Sequence, residues 1–252
     1  YLEEDADKES ILRDVRNALE ELRTFMDIGE GTIEESETED KDWINNWKEF
    51  FHQFYVDDIL IVPSWEEVKE EDKDKMILHI DPGTAFGTGM HETTQLVIRQ
   101  LKKYVTRGAE ILDVGTGSGI LGITALKLGA GHVVGTDLDP CAVSAVQDNK
   151  EANQIEDDSF DMMIGNIIDD VEVQNEVGYE RYDIVAANIL ADVLVPLTPV
   201  IVHQMKKGAY YITSGILDVK EEVVREAVEK AGLTLVEVTK QGEWVCVTAR
   251  KD

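Results

Sequence analysis

The sequence predicts an α/β fold whose mostly parallel sheet ends in an antiparallel hairpin. From about residue 76, apolar β-rich runs alternate with helical stretches, and strands alternating with helices build βαβ units with parallel strands and right-handed crossovers. One of those strands runs directly into GTGSG and then a helix, the local signature of a loop that approaches a ligand closely. At the C-terminus, LTLVEVT, KQGE and WVCVTAR read as two strands joined by a turn at Gly242.

The elements follow in order. Strands are expected at 110–114 (EILDV), 132–137 (HVVGTD), 160–164, 182–187 (YDIVAA) and 209–213 (AYYIT), and helices near 91–104, 118–129, 140–153, 190–206 and 218–231. Ahead of them, residues 10–27 place Ile11, Val15, Leu19 and Leu22 at helical spacing with charges opposite. IGEGTIEESETED is acidic and glycine-bearing, an edge strand followed by a linker. DWINNWKEFFHQF is helical again, with Trp43, Trp47, Phe50, Phe51 and Phe54 as an aromatic stripe that docks the linker onto a neighbouring domain. The expected organisation is a partial N-terminal α+β domain over 1–41, a linker with an aromatic helix over 42–75, and the main domain over 76–252.

Bulk properties bound the function. The chain has 252 residues and 43% hydrophobic content, enough for a sizeable core. No apolar run approaches the roughly 18 to 20 residues of a membrane span, and no signal-peptide pattern precedes the first helix. Residue 1 is not Met, so it is not expected to be the natural start. Cys141 and Cys246 form no CxxC and no Cys/His cluster, which fits a reduced cytoplasmic setting without disulfides or structural zinc. Net charge is −28, of which residues 1–75 carry −16 from 25 Asp/Glu and 9 Lys/Arg. Such a surface repels nucleic-acid phosphates and draws in a basic partner.

The chemistry concentrates where an open α/β sheet places its ligand, beyond the carboxyl ends of the strands at the switch point. Strand 110–114 leads into Gly115, Gly117 and Gly119, and the next strand ends in Asp137, where a carboxylate accepts both ribose hydroxyls of an adenosine group. Gly117, Gly119 and Gly122 also satisfy GxGxxG, so a nicotinamide or flavin dinucleotide is a rival. Asp113 weighs against it: an acid beside the loop suits the ammonium and sulfonium of S-adenosylmethionine, whereas a pyrophosphate would be repelled. The C-terminal hairpin is equally foreign to a dinucleotide fold. At the end of strand 182–187, Asn188 would stand beside the reactive end, its side-chain carbonyl accepting from an amine nucleophile while its amide donates elsewhere. Ile189 and Leu190 follow, where base-methylating enzymes commonly carry a proline pair and an aromatic platform, so an aliphatic amine is the expected nucleophile.

DPGTAFGTGMHETT, LDVGTGSGILG, GTDLDP and AANILAD, in that order, closely resemble the ribosomal protein L11 methyltransferase family. WINNWKEFF and IVPSWEE are similar to the segment joining that family's two domains, so the resemblance covers roughly 42–252. It implies a class I, Rossmann-like methyltransferase domain with a seven-stranded, mostly parallel sheet. It also implies S-adenosylmethionine as methyl donor, and lysine ε-amines or the N-terminal α-amine of a large-subunit ribosomal protein as acceptors. A small ferredoxin-like N-terminal domain would recognise that protein; residues 1 to about 40 resemble its latter part, so a truncated or partly disordered form is expected. By motif position the family's cofactor contacts fall on Thr94, Gly115, Asp137 and Asn188.

The mechanism that follows is in-line methyl transfer to a neutral amine. A free lysine has a pKa near 10.4, and desolvation beside a sulfonium disfavours its charged form. Proximity and desolvation are therefore expected to dominate over a dedicated base. Asn188 would orient the amine. The 81–95 loop reads as a flexible cover presenting Phe86 as a wall over the methionine half and Thr94 as a hydroxyl contact to it. His91 is expected to cap the following helix rather than to shuttle a proton.

Overall fold

The protein is described here as a computed structural model, in which residues 8–23, 32–33, 51–81 and 87–252 are placed. The chain divides into two compact units, Tyr1–Trp47 and Lys48–Asp252. Within the first, α1 (Lys8–Leu22) forms on the expected spacing, with Ile11 and Leu19 half-buried and Val15 exposed.

In the second unit a three-stranded sheet comes first. β1 (Phe54–Val56) and β2 (Ile59–Val62) pair antiparallel around Asp57, and β3 (Met76–His79) lies parallel to β2. The expected aromatic helix is thus corrected at its end: Phe54 is in a strand, while Trp43, Trp47 and Phe50 lie outside the described residues. The signal was present, because VDD is a turn and ILIV a fully buried apolar run, but runs this short are ambiguous between strand and helix.

The larger sheet has seven strands in the order β6-β5-β4-β7-β8-β10-β9. They are β4 (Glu110–Val114), β5 (His132–Asp137), β6 (Phe160–Ile164), β7 (Tyr182–Asn188), β8 (Met205–Leu217), β9 (Leu233–Gln241) and β10 (Trp244–Lys251). All neighbours are parallel except β10, which runs antiparallel to β8 and β9. Gly242 sits in the hairpin turn at φ +57°. The helices are α2 (Glu92–Tyr104), α3 (Ile120–Lys127), α4 (Cys141–Ala152), α5 (Val171–Val177), α6 (Ala191–Ile201) and α7 (Glu221–Lys230). α5 lies where no helix was expected, β8 is longer than the expected 209–213, and α6 ends at Ile201, short of the expected 206, because residues 205 and 206 already belong to β8.

Each face of this sheet carries its own core. Ile111, Val133, Ile184 and Ile212 pack with Leu96, Ile123, Ile61 and Leu78 on one side, and Leu112, Val114, Val185 and Tyr211 with Leu194 and Val224 on the other. The strand period of two fixes this division, and it sends Asp113, between Leu112 and Val114, toward the face that α3 covers. Going outward from β4, the chain visits β5 and β6 on one side and then crosses to β7 on the other. The crevice between the carboxyl ends of β4 and β7 is therefore the switch point where an open α/β sheet binds its ligand.

Candidate functional site

The floor of the crevice is the turn at 115–119. Gly115 leaves β4 at φ +73°, and a Cβ there would stand 2.5 Å from the Ile189 side chain, so the loop after β7 and the glycine loop touch through hydrogen-sized space. The peptide N–H groups of Gly115 and Thr116 donate to the Thr136 carbonyl at 2.8 and 3.1 Å, tying the turn to β5. Gly119, at φ +81°, starts α3.

Asp137 closes this turn at the end of β5. Its Oδ2 accepts from the Gly117 N–H at 2.8 Å and its Oδ1 from the Asp139 N–H at 3.0 Å. A carboxylate has about four acceptor sites, so both oxygens retain capacity for hydroxyl groups. Across β5 and β6, Asp137 is in register with Ile164, and Asn166 follows in a turn held by its own Oδ1 accepting from the Ile168 N–H. These residues form one loop beside Asp137.

Beneath the glycine turn lies Asp113, with none of its surface exposed. Its Oδ2 accepts from the Gly122 N–H at 3.1 Å, and its Oδ1 has no partner among the described residues. Burial pushes its carboxyl up to about 7; the Gly122 N–H opposes this, and the charge on Asp137 adds to it. A buried acceptor without a donor costs about 1–3 kcal/mol, a cost a cationic ligand group would offset.

On the other wall, Asn188 ends β7 and Thr94 sits in the first turn of α2. Their side chains meet: Asn188 Nδ2 donates to Thr94 Oγ1 at 3.1 Å. Thr94 is buried, so it is not on a flexible cover; it belongs to a helix and braces the asparagine. With Nδ2 committed, Oδ1 is the group of Asn188 left to face an incoming amine. His91 caps α2, its Nδ1 accepting from the Thr93 N–H at 3.3 Å, and its ring stands edge-on to Trp244 at 4.8 Å.

The 81–95 segment is fastened at both ends. Ser118 Oγ, buried in the glycine turn, donates to the Gly87 carbonyl at 2.6 Å. A Cβ on Gly87 would fall 2.5 Å from that Oγ, at a φ of +118° that disfavours any side chain. At the other end, Asp81 Oδ1 accepts from the Ser64 N–H, and Asn149 exchanges two hydrogen bonds with the Asp81 backbone at 2.8 and 3.1 Å. One turn on, Asn153 does the same for His79. Two amides at i and i+4 of α4 thus serve as a partner strand for the chain leaving β3, and Asn149 also donates to the Ser118 carbonyl at 2.9 Å. Asn149, Asn153 and Ser118 were missed from sequence. The NKEAN spacing puts both amides on one helix face, but nothing local says what they face. Phe86 lies outside the described residues.

Asp113, Gly115, Gly117, Gly119, Asp137, Asn188 and Thr94 therefore converge on one crevice. The donor set fits S-adenosylmethionine: paired carboxylate oxygens at the end of β5, and under the loop a buried carboxylate oxygen without a partner among the described residues, which suits a cation and repels a pyrophosphate. Among the described residues no group of His, Cys, Asp and Glu is arranged to hold a metal ion.

Comparison with known proteins points the same way. The family model described as "Ribosomal protein L11 methyltransferase (PrmA)" matches residues 1–252. A ribosomal protein L11 methyltransferase of Lachnospira eligens is 57% identical over 252 residues, covering 100% of this chain and 79% of its own length. Its counterpart from Agathobacter rectalis is 55% identical over 255 residues, covering 100% of this chain and 79% of its own. Among solved structures, a ribosomal protein L11 methylase from Lactobacillus delbrueckii subsp. bulgaricus superposes with a TM-score of 0.71 at 31% identity, covering 80% of this chain and 100% of that one. A precorrin-6y C5,15-methyltransferase from Geobacter metallireducens, at 15% identity and a TM-score of 0.54 over 67% of this chain and 94% of its own, shares the fold. With sequence, sheet order and site in agreement, this chain belongs to the ribosomal protein L11 methyltransferase family.

Proposed function

We propose that this protein is an S-adenosylmethionine-dependent methyltransferase that modifies lysine ε-amines, the N-terminal α-amine, or both, of ribosomal protein L11. The observation that carries the reading is the Asn188–Thr94 hydrogen bond at the carboxyl end of β7. It aims one amide carbonyl into a crevice whose other groups suit a cationic adenosine cofactor.

S-adenosylmethionine supplies a methyl group on a sulfonium, a leaving group that needs no acid. The residues of this chain bind and orient. Asp137 would hold the ribose hydroxyls while keeping the glycine turn closed through Gly117. Asp113 would meet the ammonium of the methionine half, its orphaned Oδ1 gaining a donor. Phe86 would wall that half, and Thr94 would touch it while holding the Asn188 amide. Asn188 Oδ1 would accept an N–H of the neutral amine and so orient its lone pair toward the methyl group, with Nδ2 held by Thr94. That role needs no strong base, because desolvation beside a sulfonium disfavours the ammonium, and the proton released on methylation would pass to solvent.

The acidic charge of −28 favours encounter with a basic protein and disfavours nucleic acid. Among the described residues no helix is long and apolar enough to cross a membrane; the cytoplasm, where ribosomal proteins are made, is the proposed location. We assign cofactor chemistry to 76–252, linkage to 42–75 and substrate recognition to 1–41.

The test is incubation with labelled S-adenosylmethionine and purified ribosomal protein L11, followed by mass spectrometry of the peptides. Whole-methyl mass increments on lysine or the N-terminus are expected. An unmodified L11, with label instead on another protein or a small amine, would overturn the substrate assignment.

A further inference from the structure

We propose that Leu190, Val193 and Val219, rimmed by Asp192, Asp218 and Glu243, form a docking shelf on which the chain flanking the target amine of the basic ribosomal protein lies. This rests on the function proposed above and extends it from the reacting amide to the surface beside it.

The shelf is continuous with the site. From Asn188 the contacts pass through Thr94 to the start of α2, where the His91 ring packs on Trp244. Trp244 pairs with Leu217 at the end of β8, and the Asp218 N–H donates to the Glu243 carbonyl at 2.9 Å. Lys220 then reaches Asp192 at 2.7 Å, and Asp192 lies in the first turn of α6, four residues after Asn188. The ring of contacts closes, and the shelf borders the mouth of the crevice.

Its composition is that of a contact surface. Leu190 is 66% exposed and Val219 83%, and Val193, also exposed, lies one turn from Leu190 on α6. Single exposed aliphatics are ordinary, but Leu190 lies two residues from Asn188, and Val219 lies between Asp218 and Lys220, the residue that meets Asp192. The rim is acidic, and Asp218 and Glu243 have no cationic partner among the described residues. Apolar centres with a charged rim are the usual anatomy of a protein interface, and uncompensated acids select for a cationic chain. Lys220 meets Asp192 between the turn before α7 and the first turn of α6, so one acid of the rim is paired and, among the described residues, the other two are not.

Two variants test this: Val219→Ser, which removes apolar contact at a solvent-exposed site without adding charge, and the charge reversal Asp218→Lys with Glu243→Lys. Each is assayed for steady-state methylation of intact ribosomal protein L11 and for S-adenosylhomocysteine affinity. KM for the protein should rise roughly tenfold, kcat should stay within about twofold, and S-adenosylhomocysteine affinity should not change; the charge reversal should also flatten the salt dependence of kcat/KM. An active wild type whose variants keep the wild-type KM refutes the shelf and leaves the function standing. A wild type that does not methylate L11 refutes the functional reading and the shelf with it.

Discussion

The two ends of the parallel strands treat charge in opposite ways. At the amino ends, charged side chains form a ladder across the sheet. Asp161 on β6 meets His132 on β5 at 3.2 Å, Glu110 on β4 meets Arg181 ahead of β7 at 3.2 Å, and Asp183 on β7 meets Lys206 on β8 at 2.8 Å. Arg181 also approaches His132 at 3.3 Å, and the Glu110 N–H donates to Asp183 at 2.9 Å, so the ladder spans five strands. At the carboxyl ends of β4 and β5, Asp113 and Asp137 have no cationic side-chain partner among the described residues. Asp137 spends its oxygens on backbone N–H groups, and Asp113 is buried with one oxygen unsatisfied. Partnered charges at one end stabilise the fold modestly. At the other end Asp113 Oδ1, buried without a donor among the described residues, costs stability that a bound cationic group would offset, which is how a fold sets a ligand site at one edge of its sheet.

That contrast can be broken from either end. The largest effect is expected for Asn188→Ala. Turnover should fall about 10²–10³-fold, the range for removing one positioned polar group at a reacting centre, while S-adenosylhomocysteine affinity changes less than about threefold. Turnover near wild type would sink the role given to this amide. Asp137→Ala should weaken S-adenosylhomocysteine binding by about 1–3 kcal/mol in calorimetry, since it removes the ribose acceptor and loosens the turn at Gly117; unchanged affinity would misplace the ribose.

Asp113 gives a pH signature. Folding raises its carboxyl from 3.8 to about 7, so the folded state holds the proton more tightly. The ligand-free protein therefore loses stability from this group as pH rises from 3.8 to about 7. A cationic ligand prefers the ionised form, so S-adenosylhomocysteine should bind about tenfold more weakly at pH 6 than at pH 8. Asp113→Asn should flatten that dependence, and a wild-type profile that is already flat would argue against an ammonium at this oxygen. The smallest effect belongs to the opposite end of the strands. Arg181→Ala should cost no more than about 1 kcal/mol in denaturant unfolding, as expected for part-exposed ion pairs, with methyl transfer untouched. A loss of activity there would mean the two ends are coupled.

What the sequence determined by itself is whatever rests on neighbours along the chain. The run EILDV into GTGSG, the acid ending the next strand, the asparagine after YDIVAA and the hairpin at Gly242 are patterns of a few residues, and each appears where its spacing places it. His91 as a cap is of the same kind. Short elements were not legible. β1, β2, β3 and α5 span only three to seven residues each, too few for a period to declare itself. Tertiary structure alone decided the pairings between distant residues. Thr94 and Asn188 are 94 positions apart, and Asn149 and Asp81 are 68 apart. Sequence marked Thr94 as a ligand contact, and the fold adds that its buried hydroxyl accepts from Asn188, because a hydroxyl's partners are set by what the packing of α2 against β7 brings within 3.1 Å of it. The orphaned oxygen of Asp113 is a tertiary fact for the same reason: a carboxylate's solvation depends on everything folded over it, and no local pattern encodes that.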